Sequence, residues 1–310
     1  MPRFFTYPKV REMHYCFIVN NEPSKAGNAQ MIEEQLNKLE TKPDFEIYKT
    51  TAERTATQFV RDFCKKNPSL ETCFVACGGD GTINEVASGM VGAGNKHLAV
   101  WACGSGNDFI KYYKDKDFRS VSNLIEGTPH KIDILKVNDD RYSINVCNFG
   151  FDAIVAATGA RLSRKGWKNA YRWGIVKAIF CGRFNNIKVR ADGELLNEGK
   201  RMLLCTLGNN CYVGGEFFCS PRARNDDGLI EVGYCKTVSL ITFLSMIKVY
   251  ALGRHLDDPK TARHFIYRQS TSIDVHSDRQ TEICLDGEML PGHDFHIEVI
   301  PQAISFIIPA

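Results

Sequence analysis

The chain has 310 residues, 44% apolar and 24% charged, the balance of a globular protein whose core needs no disulfide or metal staple. This excludes a disordered, collagenous or coiled-coil chain. Lys and Arg number 39 against 36 Asp and Glu, a net charge of +3, which argues against a dedicated nucleic-acid binder. At about 150 residues per domain, the length suggests two domains.

His14 to Val19 is a short apolar run ending at Asn20-Asn21 and reads as a strand. Ala29 to Leu39 places Ile32, Leu36 and Leu39 on one helical face. Phe45 to Tyr48 reads as a brief strand, and Thr51 to Cys64 as a helix with Ala52, Ala56, Phe59 and Phe63 in register. Thr72 to Cys77 is an apolar strand halted by Gly78-Gly79, a helix begins near Ile83, and His97 to Ala102 is another strand. Strand–helix alternation implies a parallel sheet covered by helices.

The texture changes after Gly127-Thr128-Pro129, which divides the chain into residues 1–129 and 130–310. Ile132 to Val137 and Tyr142 to Cys147 flank Asn138-Asp139-Asp140, a hairpin signal. Further strand-like runs are Ile187 to Arg190, Met202 to Leu207, Ile230 to Cys235, Ser272 to Val275, Glu282 to Leu285, Phe295 to Ile300 and Ile304 to Ile308. Turns join most of them, as in an antiparallel sandwich or barrel. Two helical stretches interrupt the pattern, Ala153 to Arg183 with a break near Gly166, and Val238 to Leu252.

The twelve cysteines include no C-x-x-C pair and sit partly inside apolar runs such as Cys16-Phe17-Ile18-Val19. That pattern reads as buried thiols in a reducing compartment. Arg3, Lys9, Arg11 and Glu12, with no long apolar stretch, do not read as a signal peptide. The longest membrane-like run, Val238 to Ile247, is half a span. A cytoplasmic, non-integral protein is expected.

The most informative segment is Gly78-Gly79-Asp80-Gly81-Thr82-Ile83-Asn84-Glu85-Val86, which follows a strand and opens a helix. Glycines there let main-chain N–H groups approach an anion, and the helix dipole adds favourable potential. Asp80 only accepts hydrogen bonds, so it holds Mg²⁺, holds a ribose hydroxyl, or fixes the loop. No G-x-x-x-x-G-K-[ST] occurs, so this is not a P-loop. Two other polar loops, Asn20 to Gly27 and Ala102 to Phe109, also follow strands. Such positions gather ligands in open α/β sheets.

These motifs together resemble the diacylglycerol-kinase-type lipid kinases, which include sphingosine kinases and soluble bacterial enzymes. Phosphofructokinases and NAD kinases share a shorter GGDG core, without a counterpart of Asn84-Glu85. Asn20 to Gly27 is similar to the family's N-P-x-[SA]-G loop, with Asn21 in place of proline. Gly104 to Asp108 is similar to its P-x-G-T-x-N-D loop, with Ser105 for threonine. Asn145 to Asp152, Tyr212 to Gly215 with Pro221, Asp226 to Leu229, and Leu285 to Glu288 match later elements in order.

The resemblance implies an α/β N-terminal domain like that of phosphofructokinases and NAD kinases, a C-terminal antiparallel β-sandwich domain, and an active site between them. It implies transfer of the γ-phosphoryl group of ATP to a lipid hydroxyl, with diacylglycerol the first choice, giving phosphatidic acid. Asp286 would be the general base with Glu288 beside it. Asn20, Asn21, Glu22, Pro23, Ser24, Thr51, Gly78, Gly79, Asp80, Gly81, Thr82, Asn84, Glu85, Gly104, Ser105, Asn107 and Asp108 would bind nucleotide. Mg²⁺ would be held by Asp227 with the carbonyls of Arg224 and Leu229. Without the resemblance, Asp286-Gly287 reads as a hairpin turn.

Arg161, Arg164, Lys165, Lys168, Arg172, Lys177 and Arg183 lie in a stretch with no acid, interleaved with Trp167, Tyr171 and Trp173. That composition suits an anionic membrane surface and peripheral association. A solvated face, a subunit contact or RNA are the competing readings, and a homodimer stays open. For the whole chain, a kinase of a soluble acceptor and a non-catalytic nucleotide- or lipid-binding protein are the alternatives.

Overall fold

The computed structural model describes residues 13–20, 27–51, 55–164, 167, 173–174, 177–178, 185–196 and 201–310. The chain packs as two compact units, Met1–Ile132 with Gln302–Ala310, and Asp133–Pro301.

In the first unit, elements alternate as β1 His14–Val19, α1 Asn28–Asn37, β2 Asp44–Lys49, α2 Thr55–Lys66, β3 Thr72–Gly78, α3 Asp80–Met90 and β4 Lys96–Ala102. The strands lie in the order β2-β1-β3-β4 and all run parallel. β3 and β4 are buried along their whole length, as expected of a parallel sheet covered on both faces. Tyr15, Phe17 and Val19 of β1 and Cys73, Val75 and Cys77 of β3 join Ile32 and Leu36 of α1 in one core. A short helix, α4 Val121–Ile125, packs into that core through Val121 and Leu124. α2 and α3 cross closely at Gly89, where an added Cβ would lie 2.7 Å from Val60 Cβ.

The remaining elements are β5 Thr128–Val137, β6 Arg141–Ser143, β7 Val146–Gly150, α5 Phe151–Arg164, β8 Ile187–Ala191, β9 Glu194–Leu195, β10 Met202–Gly208, β11 Ile230–Lys236, α6 Leu240–Ala251, α7 Pro259–Ala262, β12 Phe265–Ser270, β13 Ser272–Leu285 and β14 Glu288–Ile308. In the second unit β12-β11-β10-β7-β13-β14 are antiparallel neighbours, with β8 also on β13. One core takes alternate residues of these strands, such as Ile230, Val232 and Tyr234, the period-two burial of a pleated sheet. A second core gathers Phe151 and Val155 of α5, Leu204 and Cys235 of the strands, and Phe243, Met246 and Tyr250 of α6.

Several sequence expectations are corrected. The strand expected over Tyr142 to Cys147 is broken at Ile144-Asn145, because the amides there turn to one carboxylate, described below. Ser272 to Val275 and Glu282 to Leu285 are one strand, β13, whose register shifts between His276 and Thr281. Phe295 to Ile300 and Ile304 to Ile308 are likewise one strand, β14, whose end packs in the first unit. There Phe306 pairs in parallel with Leu98, and Ser305 Oγ lies 2.9 Å from His97 Nδ1. α3 begins at Asp80, ahead of Ile83, because Gly79 serves as its N-cap. Of the helix expected over Ala153 to Arg183, the described part is α5, and most of the rest lies outside the described residues. Thr128-Pro129, where the period changes, open β5.

All described cysteines except Cys103 are buried. Burial pushes the Cys16, Cys73 and Cys77 thiols up, so they stay neutral. No helix among the described residues is long and apolar enough to cross a membrane.

Candidate active site

The parallel register aligns Val19 with Lys49 and Cys77, and Gly78 with Ala102. The loops at Asn20, Thr51, Gly79 and Gly104 therefore leave the same edge of the sheet, the carboxyl ends of its strands. Asn21, Glu22, Pro23 and Ser24 lie outside the described residues.

Two of these loops are locked together. A Cβ on Gly104 would run into the Cα of Gly79, so only glycine lets the two main chains meet. Cys103 N donates to Gly78 O at 3.3 Å. Asp80 Oδ1 accepts the Phe109 amide at 2.9 Å, and burial pushes its carboxyl up against that bond. Asp80 thus fixes the loop, one of the three roles open to it. Asn107, at φ +52°, closes the second loop by accepting from Gly104 N and donating to Gly104 O. Lys111 pairs with the buried Asp108 at 2.7 Å.

The Thr82 side chain covers Gly78, while Gly81 is exposed with open space where a Cβ would stand. The α3 N-terminus thus offers main-chain donors and a positive dipole end. Glu85 faces elsewhere: its Oε2 accepts the Ala56 amide at 3.3 Å and its carbonyl accepts the Thr57 hydroxyl at 2.9 Å, so it holds α2. Asn84 is buried within α3. Thr51 is exposed, and its amide donates to Thr55 Oγ1. Ser105 is also exposed.

In the second unit, Asp286 and Gly287 form the two-residue turn between β13 and β14, at φ +50° and +95°. The hairpin reading of these residues is therefore sound, and the turn also delivers a carboxylate. Asp286 Oδ1 accepts from Ser143 Oγ at 2.9 Å, Val146 N at 2.8 Å and Asn145 N at 3.2 Å. Oδ2 accepts from Ile144 N at 2.8 Å and, at 3.4 Å, from Asn145 N. Successive amides curled around an anion make a nest. Burial nevertheless outweighs these donors and pushes the carboxyl up to about 7. Oδ2, with a single short bond, retains a lone pair for another donor. Glu288 is exposed and pairs with Arg141 at 2.8 Å.

The 224–229 loop turns through Gly228 at φ +72°. Asp227 Oδ1 accepts the Leu229 amide at 3.0 Å, and Arg224 Nε approaches Asp226 at 3.3 Å. The Gly228 amide donates at 2.7 Å to Asp133, a fully buried residue that the sequence reading passed over. Its signal was a lone acid inside an apolar run, Ile132-Asp133-Ile134. Asp152 was likewise given no role. Burial pushes its carboxyl up to about 6 while Tyr250 Oη donates to it at 3.3 Å and meets Thr206 Oγ1 at 3.0 Å. Among the described residues no group of three or more His, Cys, Asp or Glu side chains is placed to hold a metal.

Residues 14–137 match the diacylglycerol kinase catalytic domain, and residues 145–308 match the YegS C-terminal NAD kinase beta sandwich-like domain. The diacylglycerol kinase of Bacillus subtilis (strain 168) is 28% identical over 251 residues, 78% of this chain and 80% of its own length. A "probable lipid kinase YegS-like" of Klebsiella pneumoniae (strain 342) is 28% identical over 295 residues, 92% of this chain and 93% of its own. A crystal structure of a diacylglycerol kinase from Bacillus anthracis str. Sterne shares the fold, with TM-score 0.67, 17% identity, and coverage of 96% of this chain and 97% of that one. With both of its units matched, the chain belongs to the diacylglycerol kinase family of lipid kinases.

Proposed function

We propose that the protein transfers the γ-phosphoryl group of ATP to a lipid hydroxyl, with diacylglycerol as the first candidate acceptor and phosphatidic acid as its product. The observation that carries this reading is the contact of Gly79 with Gly104, which sets the exposed N-terminus of α3 beside a second loop closed on itself. Phosphates suit such a turn because main-chain donors and the helix dipole act together.

Phosphoryl transfer asks the protein mainly for positioning and charge stabilisation. Asp80 is a positioning residue, since it ties the Phe109 amide to the turn at α3. Asp286 Oδ2 accepts the acceptor's hydroxyl proton. With its carboxyl pushed up to about 7, it is poised for that exchange near neutral pH. Arg141 holds Glu288 beside the same hairpin.

Mg²⁺ prefers hard oxygen donors, and the 224–229 loop supplies that chemistry through the Asp227 carboxylate and the carbonyls of Arg224 and Leu229. The Leu229 amide fixes that carboxylate. Mg²⁺ there would brace the loop. A melting curve of Asp227→Ala that still responds to Mg²⁺ as the wild type does would remove this assignment.

The acceptor is met at an anionic membrane surface, for which the 161–183 stretch has the composition. Of that stretch, Trp167 and Trp173 are described, are exposed, and stack edge-to-face at 6.3 Å. The remaining basic residues, apart from Arg161 and Lys177, have no described side chains.

The test is labelled ATP with a panel of lipid extracts. Label entering diacylglycerol supports the full reading, label in another lipid keeps the kinase and changes the acceptor, and label in a water-soluble product or in none overturns it.

A further inference from the structure

α6 has two apolar faces. Phe243, Met246 and Tyr250 point into the core. On the opposite side Ile241 is 83% exposed, Leu244 54%, and Leu252, just past the helix, 55%. Ile241, Leu244, Lys248 and Leu252 fall at i, i+3, i+7 and i+11, so they form one stripe. A helix that only faces water carries polar residues there.

α6 itself carries one cation, Lys248, and no Asp or Glu, and Arg254 follows it before Asp257-Asp258. Ala178, from the acid-free stretch that carries Trp167 and Trp173, is buried in the same core as Phe243 and Met246. Ala178 and α6 thus share one core. Exposed apolar side chains with Lys248 in the same stripe and Arg254 just past its end match the acyl–headgroup boundary of an anionic bilayer. A second copy is a poorer occupant: a two-fold contact along this stripe would bring the two copies of Lys248 together, and α6 carries no acid to offset them.

We infer that α6 is a membrane-docking helix. It lays Ile241, Leu244 and Leu252 into the bilayer surface while Lys248 and Arg254 meet lipid phosphates. The inference deepens the proposed lipid-kinase reading and rests on it for the choice of a bilayer over a protein.

The experiment is flotation of the full chain, without nucleotide, on phosphatidylcholine vesicles with and without phosphatidylglycerol. The wild type should float with the anionic vesicles. The double variant Ile241→Glu, Leu244→Glu should lose about tenfold or more of that binding, since two side chains leave the bilayer. A second double variant, Ile241→Ala and Leu244→Ala, removes apolar area without adding charge and should show a smaller loss at an unchanged melting temperature. Flotation of the alanine variant equal to wild type overturns the inference. So does a wild type that floats with neither vesicle, or sedimentation showing a dimer that the glutamate variant separates. Transfer of label to detergent-dispersed diacylglycerol is read separately. It should survive in both variants; its absence in the wild type would remove diacylglycerol as the acceptor, and absence with every lipid of the panel would sink the kinase reading, with the flotation result standing in either case.

Discussion

Gly79 and Gly104 touch main chain to main chain, and a methyl group on Gly104 would have to occupy the space of the Gly79 Cα. Gly104→Ala should therefore push the two turns apart and raise the ATP concentration needed for half-saturation about tenfold or more, since displaced donors weaken with distance. Nucleotide titration against the wild type checks this. Unchanged affinity would mean that the two turns do not serve one ligand.

Asp286 should set the acid limb of the pH profile. With the carboxyl at about 7, log kcat should fall by one per pH unit below that value, where a carboxylate of ordinary pKa would hold the rate flat to about pH 5. Asp286→Asn should cost about a hundredfold or more in kcat with ATP binding retained. The same shift has a stability sign. Between the unfolded value near 4 and the folded value near 7, the native state keeps a proton that the unfolded chain releases. This group's contribution to stability is thus complete below pH 4 and lost as pH rises to 7.

Ser143 Oγ donates to Asp286 Oδ1 and so favours the charged carboxylate. Ser143→Ala should move the acid limb to higher pH, and Ser143→Thr should restore it. A limb that stays in place in the alanine variant would show that Asp286 is not the group being titrated.

Gly89→Ala should destabilise the first unit by about 1–3 kcal/mol, because the new methyl would stand 2.7 Å from Val60 Cβ and 2.8 Å from the Thr57 carbonyl. Thermal unfolding measures this. A variant as stable as the wild type would mean that α2 and α3 separate at little cost.

What the sequence made legible follows from the range of the interactions involved. β1, β3 and β4 were readable because each is an apolar run closed by glycine or asparagine, and their burial depends only on being covered. The loop positions at Gly78 and Gly104 were readable for the same local reason. The Asp286 nest was not, since it joins a hairpin tip to amides about 140 residues earlier. Nothing in Tyr142 to Cys147 announces that Ile144 and Asn145 leave their strand to bind a distant carboxylate. Nor could the motif show that the Glu85 carboxylate caps α2, 29 residues before it. The expected partition at 129 could not foresee that Ser305 and Phe306 return to His97 and Leu98.

That return has a consequence for synthesis. β4 gains its outer neighbour, and Phe109 its partner ring Phe306 at 5.2 Å, only from residues after Gln302. A ribosome therefore releases the first 132 residues with a strand, buried along its whole length in the finished fold, lacking its outer neighbour, and must make the whole second unit before the missing ribbon arrives. Cutting the gene at the domain border would give a fragment with a sticky sheet margin, so a soluble first unit would have to carry residues 302–310 grafted back on.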